Sequence, residues 1–274
     1  MSEPDGYQHG VPCWVDTWQP DADAAVSFYT QVFGWEAEDT MPRGVAGKHY
    51  VCRLGGRDVA AIASRPEQAP PETAWNTYVW VDDVGAVVER VRDAGGAVLK
   101  EPFDALDGGR IAIIADQAGA ALGIWQPGVH KGAQLVNEPG AWAMSELATP
   151  DPEGAKRFYR QVFGWEVATF AAGDAEIAMW TLPGYVGGNP GQPVPREGVA
   201  TMAPPDGDSN PPHWSVDFWI ADIDGAAAKV AELGGRVLAE PYDIPEVSMR
   251  QGVFADPQGA TFSLTRPPWL NPGG

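Results

Sequence analysis

An internal repeat constrains this chain more than any other sequence feature. The stretch FYTQVFGWE at 28–36 returns as FYRQVFGWE at 158–166, with eight of nine letters identical across an offset of 130 residues. The correspondence continues from VDDVGAVVERVRDAGG to ADIDGAAAKVAELGG, where the paired glycines lie 139 residues apart. Near the ends of the two copies, RIAIIADQAGAALGIW corresponds to RQGVFADPQGATFSLT at an offset of 140. A repeat of this length predicts two homologous domains rather than a stack of small units.

The length of the chain fits that division. At 274 residues it suits two domains of ordinary size, and we expect each of them to bury a core of its own. The segment PGVHKGAQLVNEPG at 127–140 has the composition of a linker. The sequence therefore predicts a first domain at 1–130 and a second domain at 131–274.

Each half divides again into two similar arms. A strand-like segment, a helix ended by glycine and three further strand-like segments follow one another four times along the chain. Alternation within the strands indicates sheets with one face on helices and one face open. The expected fold class is α+β, in which each domain pairs two βαβββ modules into a cupped, mixed and mainly antiparallel sheet with its helices outside.

Charge and cysteine content narrow the range of partners and locations. The net charge is −19, with 18 basic against 37 acidic residues, so we expect no nucleic acid and no anionic membrane as a partner. The N-terminal segment has no basic and apolar stretches of a signal peptide, and no run suits a membrane span. Cys13 and Cys52 are expected as buried free thiols. These features predict a cytoplasmic protein, monomeric or homodimeric, that binds a small molecule.

Three phrases resemble one known superfamily. They are FYTQVFGW in the first helix, VDDVGAVVERVRDAGG at the start of the second arm, and DPQGATFSL near the end. Together they resemble the vicinal-oxygen-chelate superfamily, which includes glyoxalase I, bleomycin-resistance proteins and extradiol dioxygenases. The two-domain length is similar to the tandem actinobacterial members. The resemblance implies the cupped βαβββ fold and a ligand inside the cup.

The same resemblance implies a divalent metal in enzymes of the superfamily, held by His, Glu or Gln at fixed strand positions. Carried over one by one, those positions hold residues without an imidazole or a carboxylate. They are Trp14, Ala61, Asn76 and Gly123 in the first domain, and Met144, Ser215 and Ser263 in the second. In the second domain the position equivalent to Ala61 cannot be placed from the sequence. We therefore expect no metal site, and the missing dinucleotide and phosphate-loop patterns predict no other cofactor.

Every second residue along a strand points to the same face, so the strand neighbours of each metal position at a spacing of two are also expected to face inward. We call the resulting sets of inward side chains in the two domains the first cup and the second cup. The first cup comprises Trp14, Asp16, Asn76, Tyr78, Trp80 and Trp125, and the second comprises Met144, Glu146, Ser215, Asp217, Trp219, Thr261 and Ser263. The aromatic residues of the first cup could stack a flat ligand or could be ordinary core.

Each charged residue that is a candidate for the functional site has two interpretations. Glu146 and Asp217 could repel one another and form a catalytic acid/base pair, or they could be satisfied by amides or an arginine. Arg110 and Arg250 each precede the aspartate of a turn by six residues. Both arginines could bind an anionic ligand, or both could form salt bridges with acidic neighbours. His9, His49 and His130 are expected in solvent.

The segment 183–212 contains eight prolines and accounts for the longer second half. It is predicted as a loop that covers the second cup without pairing into the sheet. The second cup, richer in polar residues, is the expected working site. Two functions remain open. One is a binding protein that sequesters a flat or aromatic ligand, and the other is a glyoxalase-like or hydroxylase/isomerase-like enzyme that uses Glu146 and Asp217.

Overall fold

The computed structural model of this chain describes residues 6–67, 69, 71–172, 175–188, 192, 195–204 and 211–270. Within them, strand, helix and three strands follow one another four times, as the sequence predicted. The first repeat consists of β1 (Pro12–Gln19), α1 (Ala22–Phe33), β2 (Glu36–Asp39), β3 (His49–Leu54), β4 (Arg57–Ser64), β5 (Trp75–Trp80), α2 (Val84–Asp93), β6 (Ala97–Ala105), β7 (Gly109–Ala115) and β8 (Ala121–Pro127). The second consists of β9 (Trp142–Ala148), α3 (Pro152–Phe163), β10 (Glu166–Ala172), β11 (Ala175–Thr181), β12 (Gly198–Ala203), β13 (His213–Trp219), α4 (Ile223–Glu232), β14 (Arg236–Ile244), β15 (Met249–Ala255) and β16 (Thr261–Arg266).

Each repeat forms one eight-stranded mixed sheet. The strand orders are β2-β3-β4-β1-β5-β8-β7-β6 and β10-β11-β12-β9-β13-β16-β15-β14. The first and last strands of each arm pair in parallel, as in β1 with β4 and β13 with β16, whereas the hairpins between the other strands are antiparallel. The predicted α+β class and the paired βαβββ modules are confirmed.

The prediction for 183–212 is wrong in part. Residues 198–203 form β12, which pairs antiparallel with β11 and parallel with β9. Prolines lie on both sides of this strand and none within it, so its amides are free to join the ladder. Part of the remaining predicted cover, 189–191, 193–194 and 205–210, lies outside the described residues.

The repeated phrase owes its helix to short local signals. Asp21 and Asp151 cap the first turns of α1 and α3 by accepting from the amides of Ala24 and Gly154. Each helix ends at a glycine in the left-handed conformation, with φ of 73° at Gly34 and 77° at the equivalent glycine of α3. The spacing between the aspartate and the glycine therefore fixes the length of both helices.

The compact units of the fold do not follow the two repeats. The first unit contains residues 6–14, 77–132 and the described part of 144–215, and the second contains the described parts of 15–76, 133–143 and 216–270. Each unit thus combines one arm of each repeat, with α2 against α3 in the first unit and α1 against α4 in the second. The expectation that each half buries its own core is wrong, because both hydrophobic cores draw on both repeats. The boundary between residues 130 and 131 stays a prediction.

A buried hydrogen-bond chain links the repeats within the second unit. The Tyr29 hydroxyl donates to Asp256 Oδ2 over 2.9 Å and accepts from the Trp75 indole over 3.0 Å. Gln19 donates to the same carboxylate oxygen over 2.8 Å. Burial, with the nearby carboxylate as a further cause, raises the pKa of Tyr29 well above its ordinary value, so the phenol keeps its proton and donates.

The first unit contains the same chain with the repeats exchanged. Tyr159 of α3 donates to Asp116 over 3.2 Å and accepts from Trp214 over 2.9 Å. The Oδ1 atom of Asp116 also accepts from three amides of its own turn, those of residues 118–120. The tyrosine of one repeat is therefore satisfied by the turn of the other, which explains why both phrases occur twice.

No helix among the described residues has the length and apolar character needed to cross a membrane.

We predict that Tyr29→Phe and Tyr159→Phe each lower the free energy of unfolding by about 1–3 kcal/mol, because a buried carboxylate loses a donor and a buried indole loses its acceptor. Urea denaturation followed by fluorescence measures the change. Tyr50→Phe is the matched control, since the Tyr50 hydroxyl bonds to Asp23 at the surface. Its expected effect is below about 0.5 kcal/mol. Equal effects of all three substitutions would contradict the role of the buried chain.

Candidate functional site

The first-unit part of the first cup is filled by its own aromatic side chains. Four aromatic residues are buried there, with exposed fractions between 1% and 8%: Trp14, Tyr78, Trp80 and Trp125. The Tyr78 ring also occupies the space into which a side chain at Gly123 would project. Of the two interpretations of these aromatics, the structure favours ordinary core.

His130 closes this aromatic group. Its ring packs edge-on against Trp14, with centroids 4.4 Å apart, and against Trp125 at 5.5 Å. The amide of Gly132 donates to His130 Nδ1 over 3.3 Å. The expectation of a solvated His130 is therefore wrong, because the chain after β8 turns back onto the indole rings and half-buries the imidazole.

Asp16 of the first cup is a satisfied buried carboxylate within the second unit. Its Oδ1 accepts from Asn76 Nδ2 over 2.7 Å and its Oδ2 accepts from Trp18 Nε1 over 3.1 Å. The side chain faces Ala61 of the parallel strand β4, which offers no further polar group. Asp16 therefore matches the interpretation in which a cup carboxylate is structural, because amide and indole N–H groups stabilise its charge.

The second cup is more exposed. In its first-unit part, Met144 and Ser215 are half-buried and Glu146 is exposed. Thr201 Oγ1 donates to Glu146 Oε2 over 3.0 Å, and the two residues are directly paired in β12 and β9. Thr201 therefore occupies the position equivalent to Ala61. The sequence does not place this position, because it predicts a loop where the structure has β12.

The second-unit part of the second cup is also polar. Asp217 pairs with Ser263 in the register of β13 and β16, and both side chains are half-buried. Thr265 Oγ1 donates to Asp217 Oδ1 over 2.7 Å, and Gln251 Nε2 donates to Thr265 Oγ1 over 3.2 Å. Sequence reasoning missed Thr265 and Gln251, although two-residue alternation from Ser263 would have reached Thr265.

Trp219 ends the second cup at the last residue of β13. It is buried and packs edge-on against Trp269, with centroids 4.8 Å apart. Trp269 lies in the short 3-10 helix Pro268–Leu270. Thr261 is exposed at the start of β16. The second-unit part of the second cup thus comprises a buried indole, the half-buried Asp217 and Ser263 and the exposed Thr261.

Arg250 does not lie on the cup face of its sheet. Its guanidinium pairs with Asp224 at 2.9 Å and with Asp243 at 3.1 Å. In β15, Arg250 alternates with Gln251, so its side chain points to the face that carries α4. Arg110 has a looser pair, 3.9 Å from Asp104. Both arginines therefore form salt bridges with acidic neighbours, as the second interpretation predicted.

The residues at the superfamily's metal positions do not fit a divalent metal. Indole, methyl, thioether and hydroxyl groups replace the expected imidazoles and carboxylates, and Gly123 lies beneath a tyrosine ring. Elsewhere in the described part of the chain, no three His, Cys, Asp or Glu side chains cluster in a way that could hold a metal ion.

A groove of about 400 Å³ lies elsewhere, along α3 and β10 in the first unit. Its rim carries Lys156 and Arg160, which lie 2.7 Å from Glu153 and 4.0 Å from Glu166 respectively. Because acidic neighbours already pair with both cations, and no cup residue lines the groove, it is not the candidate site.

Comparison with known proteins places each half in one superfamily. Residues 14–124 match the Glyoxalase/Bleomycin resistance protein/Dioxygenase superfamily, and residues 131–265 match the Glyoxalase-like domain. The Mn(II)-bound glyoxalase of Novosphingobium aromaticivorans has a similar fold, with a TM-score of 0.63 at 18% identity over 94% of this chain and 82% of that one.

Two relatives are similar over almost their whole length. CFP32 of Mycobacterium tuberculosis, provisionally named a glyoxylase, is 43% identical over 95% of this chain and 96% of its own. The anthracycline biosynthesis protein DnrV of Streptomyces peucetius is 34% identical over 93% of this chain and 92% of its own. The chain therefore belongs to the Glyoxalase/Bleomycin resistance protein/Dioxygenase superfamily, as a member with two tandem domains.

Proposed function

We propose that this protein is a small-molecule-binding member of the superfamily that binds a flat or aromatic ligand at the second cup and has lost the metal site. The proposal rests on a difference in burial between corresponding residues of the two cups. Asp16 is buried and bonded to Asn76, whereas its counterpart Glu146 is exposed. Tyr78 is buried, whereas its counterpart Asp217 is half-exposed.

The chemistry of the second cup suits recognition of a neutral or cationic ring. Carboxylate and hydroxyl oxygens accept hydrogen bonds from the polar substituents of such a ring, and the buried Trp219 packs against Trp269 in the same unit. A chain with a net charge of −19 repels anions. The relative DnrV is named for anthracycline biosynthesis, which is consistent with a polycyclic aromatic ligand.

An enzyme remains the second candidate, because CFP32 is provisionally named a glyoxylase at 43% identity. In this case Glu146 and Asp217 would transfer protons to and from a bound substrate. A panel of glyoxalase, hydroxylase and isomerase substrates separates the two candidates. Turnover that disappears in Glu146→Gln or Asp217→Asn would favour the enzyme, and binding without turnover would favour the binding protein.

We predict that Glu146→Gln and Asp217→Asn each abolish ligand binding without unfolding the chain, while Asp16→Asn retains it. Each amide keeps the volume of the side chain and removes the charge. A ligand found by thermal-shift screening is titrated calorimetrically into all three variants. Loss of binding in Asp16→Asn alone would instead assign the site to the first cup.

For the free energy of unfolding, we expect Asp16→Asn to have a larger effect than Glu146→Gln, the reverse of their order for ligand binding. Asp16→Asn replaces a buried acceptor by an amide that turns N–H groups toward Asn76 or Trp18, so we predict a loss of about 1–3 kcal/mol of unfolding free energy. Glu146→Gln alters an exposed side chain and should change the free energy of unfolding by less than about 0.5 kcal/mol. Urea denaturation of both variants measures the difference. A larger loss in Glu146→Gln would contradict the contrast between the cups.

We also predict that the purified protein holds less than one equivalent of transition metal per chain and that chelators leave its melting temperature unchanged. The reason is the lack of metal-binding donors at the superfamily positions. Elemental analysis after dialysis and thermal denaturation with and without EDTA are the measurements. A full equivalent of zinc, nickel or iron retained after dialysis would refute the loss of the site.

A further inference from the structure

The first residue of α4 has a buried amide for which the described residues provide no acceptor. In the first repeat the equivalent amide, that of Val84 at the start of α2, donates to Gln126 Oε1 over 3.0 Å. The position equivalent to Gln126, at an offset of 140, holds Arg266 in the second repeat. Arginine has no acceptor atom, and the amide of Ile223, a residue that is 0% exposed, makes no hydrogen bond to another described residue. A donor buried in this way ordinarily has a partner.

The backbone around this amide is the same in both repeats. The Ile220 amide donates to the carbonyl of Thr265 over 3.0 Å, and the equivalent bond from Val81 to Trp125 measures 2.8 Å. Arg266 therefore starts from the same point relative to its helix as the glutamine of the first repeat. The difference between the repeats is the replacement of an acceptor by a charged donor.

A second arginine lies beside the first. Arg250 and Arg266 are directly paired in β15 and β16, so their side chains share one sheet face. Arg250 bonds to Asp224 of α4, which places this face against the start of the helix. The Nε atoms of both arginines are buried and have no hydrogen-bond partner in the described part of the chain. Like charges directly opposite one another on a sheet are destabilising unless a negative group offsets them.

The acidic side chains nearby are already bonded to other groups. Asp224 and Asp243 pair with the terminal nitrogens of Arg250, and these carboxylates are 63% and 68% exposed. The carboxylate of Asp222 caps the first turn of α4. Arg266 forms no ion pair with any carboxylate among the described residues. Its charge is therefore available to a ligand at short range, although the chain as a whole carries a charge of −19.

We propose that the start of α4 and the two arginines form a binding site for a small oxyanion, a carboxylate or a phosphate group. Its oxygens accept from the Ile223 amide and from the Nε–H groups of Arg250 and Arg266. The N-terminal end of this ten-residue helix has partial positive charge, which adds to the attraction. Hydrogen bonds from a guanidinium group to an oxyanion are among the strongest in proteins.

The proposed anion site is open to solvent and separate from the second cup. Asp222 and Asp224 are exposed at the start of α4, and Arg266 is half-buried, so a small ion can reach the arginines without unfolding of the helix. Thr265 and Gln251, the strand neighbours of the two arginines, belong to the polar group around the cup carboxylate. Because neighbouring strand residues point to opposite faces, the anion lies on the other side of the same sheet.

The test uses inorganic phosphate and acetate as probes, titrated calorimetrically into the whole chain at neutral pH and constant ionic strength. We expect the wild-type chain to bind at least one of them saturably. Arg266→Gln removes one charge and restores the acceptor found in the first repeat, so its affinity for that probe should fall at least about tenfold. Arg236→Gln is the matched control, because it removes an exposed arginine of β14 in the same unit. Its affinity should stay within about twofold of the wild-type value.

A second variant and a second measurement make the result independent of the new glutamine. Arg266→Met supplies no acceptor and should lose the anion in the same way. In the wild-type chain, the amide resonance of Ile223 should shift on titration with the bound probe, whereas that of Val84, which has Gln126 as its acceptor, should not. Urea denaturation without either probe checks that each variant is folded.

Equal affinity of the wild-type chain, Arg266→Gln and Arg236→Gln would indicate adventitious ion binding at surface cations and would overturn the inference. An unchanged Ile223 resonance, or no saturable binding of either probe, would overturn it as well. The proposed ligand site at the second cup does not depend on these outcomes, because it lies on the opposite face of the sheet.

Discussion

The fold depends on a buried tyrosine that donates to the aspartate of a turn in the other repeat. Tyr29 with Asp256, and Tyr159 with Asp116, each place a phenol against a carboxylate inside an aromatic core. Removal of the phenol would leave the buried carboxylate with one donor fewer and the buried indole without its acceptor, which costs stability. Because these bonds join the two repeats within each unit, the cores require both halves of the chain.

The helix-facing sides of the two sheets are alike, whereas their cup-facing sides differ. The helix-facing residues of both repeats stay apolar because they build the shared cores. The first-unit part of the first cup is occupied by its own indole and phenol rings, together with His130. The second cup keeps polar groups that contact other side chains and solvent. One duplicated framework thus carries a filled face and an accessible one, and the accessible face is the basis of the proposed function.

The superfamily is commonly associated with metal-dependent chemistry, and the donors at this chain's corresponding positions differ from that pattern. Thr201 and Ser263 stand where carboxylates are expected, and the Thr201 hydroxyl donates to Glu146. In the second unit, Thr265, Gln251 and Tyr242 extend the polar surface from Asp217 across four strands. Hydroxyl and amide groups therefore lie next to a carboxylate on this face of the second unit.

The sequence by itself determined the repeat, the four arms, the helix ends and the superfamily, because caps, glycines and alternation are local signals. It also predicted the cup positions, since a two-residue period follows a strand without knowledge of its neighbours. Only the tertiary structure decided which arms share a core, that 198–203 form a strand, that His130 is packed and that Arg250 faces a helix. These outcomes depend on contacts between residues far apart in the chain, which no local pattern records.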